Sequence, residues 1–236
     1  MKTRAIDFHS HILPGMDDGS PDMETSLDML RMSAAQGVAV QVLTPHYYPW
    51  NESIEAFMVR RKASQNRLAA RWDGGTPECE VGAEVAYFRG MSAADLHSLC
   101  VGGRDVLLVE MPFESWGNDV IDEIATLSLD RGYSVVLAHV ERYMSYRGNL
   151  ERIRNLGKLP LHFQVNAEAF LHFRPRGIVL SLAREGNTLI LGSDAHNTTS
   201  RKPNLDAARE IIRKKLGTEY LAAADSEAAF LLEGKR

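Results

Sequence analysis

Ala5-Ile6-Asp7-Phe8-His9-Ser10-His11 is a short apolar run that ends in two histidines. The same arrangement returns near the other end, in Leu189-Ile190-Leu191-Gly192-Ser193-Asp194-Ala195-His196. Between them, further apolar runs end at or just before His46, Glu84, Glu110 and His139. The runs cover 4–9, 38–43, 79–85, 105–110, 134–139, 162–166 and 188–193, and their β-branched and aromatic content predicts strands. Helical stretches alternate with them at 22–35, 52–71, 118–131, 176–185, 203–215 and 218–233. The first places Met23, Leu27, Leu30 and Ala34 on one face, and its predicted entry is Ser20-Pro21. This alternation predicts an α/β fold: a distorted, seven-stranded (β/α) TIM-like barrel with its chemistry at the C-terminal ends of the strands.

Bulk properties narrow the class. A chain of 236 residues suits one barrel and is short for two full domains, so 1–236 reads as a single domain. No run approaches the ~18 apolar residues of a membrane span. Met1 to Arg4 leads straight into the first strand without an apolar leader. Cys79 and Cys100 fit neither a disulfide framework nor a zinc ribbon, which points to a cytoplasmic protein. The net charge of −4 and the lack of a basic block argue against nucleic acid as a partner.

The strand-end residues are metal-ligand types. His9 and His11 lie two apart on one strand and face the same way, so both imidazoles can hold one cation. Asp194-Ala195-His196 repeats that geometry on the last strand, which neighbours the first in a closed barrel. Asp17-Asp18-Gly19 reads equally as a turn and as a loop carboxylate bent back onto metal. Pro45 ends its strand and leaves His46 at the rim. Glu84 and Glu110 sit in apolar surroundings, where an unpaired carboxylate costs several kcal/mol and a cation removes that cost. His139 ends its strand in the same way. Three further histidines, His97, His162 and His172, read as surface or packing residues. Nitrogen and oxygen donors without thiolate suit Mn²⁺, Fe or Zn²⁺. A rim of Tyr47, Tyr48, Trp50, Phe88, Phe113 and Trp116 offers rings to sandwich an aromatic ligand, or simply packs loops.

The stretches from Asp7 to Gly19, Thr44-Pro45-His46, Gly82-Ala83-Glu84, Val109-Glu110-Met111-Pro112, Ala138-His139-Val140-Glu141-Arg142-Tyr143 and Gly192-Ser193-Asp194-Ala195-His196 occur in one family order. The chain resembles the polymerase-and-histidinol-phosphatase (PHP) superfamily. Within it, the chain is most similar to the capsule-type, manganese-dependent bacterial protein-tyrosine phosphatases. That resemblance implies three divalent metal ions, manganese foremost, with iron or zinc as alternatives. It implies a first metal on His9, His11, Glu84 and Asp194. Glu84 would bridge to a second, shared with Glu110 and His139, and Asp18, His46 and His196 would hold the third. Three dications would turn a net charge of −4 into +2 and draw in a phosphate dianion. Arg142 and Arg201 match positions where arginines clamp the phosphate. Two segments depart from the pattern: Phe170 to Gly177, and the C-terminal helix from Asp225 to Arg236, which lacks an Asn-Pro start. These leave substrate presentation and subunit contacts open.

The implied reaction is phosphotyrosine hydrolysis by a metal-bound hydroxide, made available as the metal lowers the pKa of its water towards ~7. The implied partner is a phosphotyrosyl protein, a bacterial tyrosine autokinase of capsule or exopolysaccharide export. A cysteine mechanism needs an arginine six residues after the nucleophile; Val85 follows Cys79 and Val106 follows Cys100 at that spacing, so it is rejected. Two alternatives stand: a phosphatase of histidinol phosphate or another small phosphomonoester, and a non-catalytic, metal-stabilised scaffold that binds the kinase.

Overall fold

The structure, a computed structural model, describes residues 4–72 and 75–233; the outermost residues of the 1–236 reading lie outside it. Among the described residues, nine short parallel strands carry the fold. β1 (Ala5–Asp7), β2 (Val38–Leu43) and β4 (Glu78–Val81) form a three-stranded sheet in the order β1-β2-β4. β3 (His46–Tyr47), β5 (Glu84–Ala86), β6 (Val106–Glu110), β7 (Ser134–Leu137), β8 (His162–Asn166) and β9 (Leu189–Gly192) form a six-stranded one in that order. The expected closed, seven-stranded barrel is therefore corrected to two parallel sheets.

Local chemistry explains the break. The run after Leu43 meets Pro45, which has no N–H to give a ladder, and pairing resumes only at His46. The expected strand 79–85 splits likewise at Gly82-Ala83. Gly82 must remain glycine, because a Cβ there would stand 2.7 Å from a methyl of Val101. At the other seam β1 and β9 are not paired in a ladder, and the chain just past β1 joins β9 and its extension through Phe8 N–H to Leu191 O, Asp194 N–H to His9 O and His11 N–H to Ala195 O.

Helices cover the sheets. α1 (Met23–Ala35) starts one residue later than expected: Asp22, just past the expected Ser20-Pro21 entry, is the cap, and its carboxylate accepts the Thr25 N–H at 2.8 Å. α2 (Ile54–Ala69) is capped by Ser53. α3 (Asn118–Leu129), α4 (Asn149–Leu156), α5 (Ala167–Leu171), α6 (Phe173–Arg184), α7 (Leu205–Lys215) and α8 (Thr218–Glu233) follow. α4 and α5 were not legible as helices, and α6 begins three residues before the expected 176.

Strand alternation divides the core in two. Ile6, Phe8, Val40, Val42, Val106, Leu108, Val136 and Ile190 point to one side and pack with Ala228, Leu231 and Leu232 of α8. Leu107, Val109, Val135 and Leu137 point to the other side, towards the remaining helices. Fully burying one such Val or Leu side chain stabilises the fold by roughly 1.5–3 kcal/mol. The C-terminal helix, whose packing partner the sequence left open, thus covers the inner strand faces. No helix among the described residues is long and apolar enough to cross a membrane.

Candidate metal centre

The strand ends converge on one point. His9 Nε2 lies 3.1 Å from His11 Nε2 and 3.2 Å from Glu84 Oε2, and His11 Nε2 lies 3.3 Å from the same oxygen. Asp194 Oδ1 stands 3.7 and 3.4 Å from those two nitrogens. His139 Nε2 reaches Glu84 Oε1 at 2.7 Å and Glu110 Oε1 at 3.6 Å. On the outer side, Asp18 Oδ1 is 3.6 Å from His46 Nε2 and 3.5 Å from His196 Nε2. All nine strand-end and loop residues picked from the sequence therefore meet. Among the described residues, three groups have donor atoms close enough to share an ion: His9, His11 and Glu84; His11, Asp18, His46 and His196; and His46, Glu84 and Glu110. The last differs from the expected grouping by having His46 in place of His139.

Two of these residues sit in strained backbone. His139 has φ 32° and Asp194 φ 53°, a left-handed conformation that costs non-glycine residues energy and concentrates at functional sites. Close approach of β9 to β1 requires Gly192, where a Cβ would stand 2.6 Å from the Cβ of His9.

The residues behind the cluster decide which atoms face it. Gln164 Oε1 accepts the His139 N–H at 2.7 Å, while its Nε2 donates to Asn166 Oδ1 at 3.0 Å, so its amide orientation is fixed. The same oxygen lies 3.0 Å from His9 Nδ1, which must then carry the proton. His11 Nδ1 donates to Asp17 Oδ2 at 2.7 Å, and His196 Nδ1 to the carbonyl of Asp194 at 2.8 Å. Each partner is an acceptor only. Each neutral ring therefore turns a bare Nε2 lone pair towards its neighbours. Glu84 Oε2 and His46 Nδ1, 2.9 Å apart, make no hydrogen bond, and His196 Nε2 also lacks one.

A buried pocket of lone pairs and carboxylates needs positive charge. Protons meet part of the demand. Burial opposes charge on His139, yet Glu110 and Glu84 push its pKa up to about 9. Burial is likewise outweighed at His11 by Asp17 and at His46 by Glu84, both shifted upwards. His196 goes the other way, to about 4, through burial and the neighbouring His11. A cation answers the same demand. Ligand atoms ~2.1 Å from an ion stand about 3.0–3.4 Å apart across an octahedral or tetrahedral edge. The spacings around His9, His11 and Glu84 match, so the donor set fits divalent metal.

Both arginines face this cluster. Arg142 Nη2 donates to Asp194 Oδ2 at 2.6 Å and Arg201 Nη2 to the same oxygen at 3.0 Å, both half-exposed. Asn166 completes the fan, its Nδ2 donating to that oxygen at 2.8 Å.

The sequence profile described as "Capsular polysaccharide synthesis, CpsB/CapC" matches residues 5–229. The chain belongs to the CpsB/CapC family. It is 27% identical to the tyrosine-protein phosphatase YwqE of Bacillus subtilis, over 98% of this chain and 92% of that protein. It is 26% identical to the tyrosine-protein phosphatase CpsB of Streptococcus agalactiae, over 91% and 92%. Its fold superposes on a solved chain from the crystal structures of YwqE and Streptococcus pneumoniae CpsB, described as unique metal-dependent tyrosine phosphatases. That match has a TM-score of 0.85 at 25% identity and covers 98% of this chain and 95% of that one.

Within this CpsB/CapC chain the expected rim needs correction. Trp116 and Tyr47 are buried; the Trp116 Nε1 donates to the Pro112 carbonyl, and the ring packs on Tyr143. The rings at the cluster are Tyr48, stacked on His46 at 5.0 Å, Trp50, stacked on Tyr48 at 5.2 Å, and Phe113, over His139 at 5.8 Å. Trp50 is 66% and Phe113 47% exposed. The three histidines set aside pair with carboxylates elsewhere: His97 with Asp105, His162 with Glu227 and His172 with Glu168. Sequence reasoning missed Tyr143, Gln164 and Asn166, and it gave Asp17 only within the Asp17-Asp18-Gly19 loop. Asn166 carried a signal, since it ends the apolar run 162–166 as the ligand-type residues end theirs.

Proposed function

We propose that this chain is a metal-dependent protein-tyrosine phosphatase. The observation that carries the reading is the set of imidazole Nε2 atoms turned towards Glu84, Asp194 and Asp18. Family membership and the tyrosine-phosphatase relatives set the substrate class. In this reading His9, His11, Glu84 and Asp194 hold one cation, Glu84, Glu110 and His139 a second, and Asp18, His46 and His196 a third. Mn²⁺ is the foremost candidate, and Fe and Zn²⁺ suit the same donors. When bound, such ions supply Lewis acidity and bring the pKa of water towards ~7.

The protein's own residues do the rest. Gln164, Asp17 and the Asp194 carbonyl hold three imidazoles in the tautomer that offers Nε2. Arg142 and Arg201 spend one N–H each on Asp194 and keep further donors for phosphate oxygens, where a planar guanidinium binds in a bidentate manner. Tyr48, Trp50 and Phe113 border the site with aromatic faces suited to the phenyl ring of phosphotyrosine. A tyrosine phenol, with a pKa of about 10, departs more readily than an alkoxide. The substrate we infer is a phosphotyrosyl protein in the cytoplasm, a tyrosine kinase of capsule or exopolysaccharide synthesis.

The test is phosphate release from a phosphotyrosyl peptide with Mn²⁺ and with chelator. Turnover with metal and none with chelator supports the reading. Metal-independent turnover, or bound metal without turnover of the peptide, contradicts it.

A further inference from the structure

A groove leads away from the cluster on the side of Arg142. Its inner end belongs to the site, since Arg142 and Asn166 form its wall and both donate to Asp194. It encloses about 350 Å³ and reaches Arg174 and Ile178 at the start of α6. A second cavity of about 320 Å³ begins at the same Arg174 and Ile178 and continues to Leu150 and Arg154. The two share Arg174 and Ile178 as a common wall, and together they extend from Arg142 to the outer surface of α6.

The charges along this track are not equal. Arg154 is engaged by both oxygens of Glu185, at 2.7 and 2.8 Å, and His172 by Glu168 at 3.2 Å. Arg174, at the junction, pairs with no carboxylate among the described residues. Beside it the track is apolar and open: Ile178 is 37% and Leu150 38% exposed. Phe173, next in the chain to Arg174, is 83% exposed. Phe173 and Arg174 fall in, and Ile178 next to, the segment 170–177 that departs from the family pattern.

We propose that this groove receives the polypeptide flanking the phosphotyrosine. An acidic side chain of that peptide meets Arg174, and an apolar one rests on Ile178 and Leu150. The proposal rests on the tyrosine-phosphatase reading. Its basis is the wall that the groove shares with the site at Arg142 and Asn166, and the cation Arg174 at its midpoint. A small phosphomonoester would fill the site alone and leave the groove empty. An unpaired exposed cation beside an apolar strip selects an oppositely charged partner and repels a like-charged one.

The experiment compares kcat/KM for free phosphotyrosine with that for phosphotyrosyl peptides carrying Asp, Ala or Lys at each flanking position. It uses the metal-loaded wild-type enzyme, Arg174→Glu and Ile178→Ser. The wild type should prefer Asp over Lys at one or more positions by about five- to ten-fold. Arg174→Glu should abolish or reverse that order and leave free phosphotyrosine turnover unchanged. Ile178→Ser should lower turnover of every peptide relative to phosphotyrosine. An Arg174→Glu enzyme that keeps the wild-type order, or a wild type blind to the flank while turning over phosphotyrosine, overturns the groove assignment alone. A wild type idle on phosphotyrosine and on all peptides overturns the phosphatase reading, and the groove assignment with it.

Discussion

The amide oxygen of Gln164 lies 3.0 Å from Nδ1 of His9, and the same oxygen takes the backbone N–H of His139. One side chain thus orients two of the strand-end histidines. Replacing it with the near-isosteric Leu should leave the fold intact and weaken metal binding by about ten- to a hundred-fold, the usual consequence of losing a partner behind a ligand. Gln164→Glu, which keeps an acceptor, should recover part of the loss. Chelator competition measures both, with far-ultraviolet circular dichroism as the control for folding.

Metal binding should release protons and strengthen with pH. The carboxylates hold His139 up at about 9 and His11 well above the ordinary imidazole range, so these two imidazoles carry protons at neutral pH in the absence of cations, and His46 is shifted in the same direction. A ligating nitrogen must lose its proton first. Apparent Mn²⁺ affinity should therefore rise with pH through the neutral range and flatten only near 9. Calorimetry in buffers of different ionisation enthalpy reads the proton count directly. A pH-independent affinity with no protons released would contradict the assignment.

The aromatic residues should separate cleanly in mutants. Trp50→Ala and Phe113→Ala remove exposed rings at the cluster and should raise KM for phosphotyrosine several-fold without loss of stability. Trp116→Ala removes a buried ring and should cost about 3–5 kcal/mol of stability, seen as a large drop in Tm. An unchanged KM in both rim variants would remove the aryl-binding role.

Thiol reagents should not inhibit. Cys100 is buried beneath Leu96, and burial pushes its pKa up to about 12, which leaves almost no thiolate at neutral pH. Iodoacetamide at neutral pH should leave activity intact, as expected of a mechanism without a cysteine nucleophile.

Much of this site was legible because ligand types stand out against apolar strands. His9, Glu84, Glu110 and His139 each interrupt or end a hydrophobic run, and burial without a counter-charge demands an explanation. Arg142 and Arg201 were legible only through family resemblance, because an arginine in a loop carries no pattern of its own. Gln164 and Tyr143 were silent for a related reason: a Gln on a strand and a Tyr in a turn gain meaning only from the imidazole that each one touches. The Asp17-Asp18 pair illustrates the same limit. The turn is present, with Asp17 Oδ1 accepting the Gly19 N–H, and the same loop brings both carboxylates to the cluster: Asp17 Oδ2 to His11 and the His46 N–H, and Asp18 towards His46 and His196 from the open side.

The fold was legible in its alternation and not in its closure. Sequence periodicity locates strands but does not show where a ladder lapses. Pro45 and Gly82 each divide one expected strand into two, and the seam between β1 and β9 depends on single bonds around His9 and Asp194. Those lapses lie at the strand ends, where backbone freed from pairing can bend side chains towards one point.

The most direct test of the account is phosphate release from a phosphotyrosyl peptide and from histidinol phosphate, side by side, with Mn²⁺ and with chelator. The account predicts chelator-sensitive release from the peptide and little from histidinol phosphate. Preference for histidinol phosphate, or release from the peptide that persists in chelator, would contradict it.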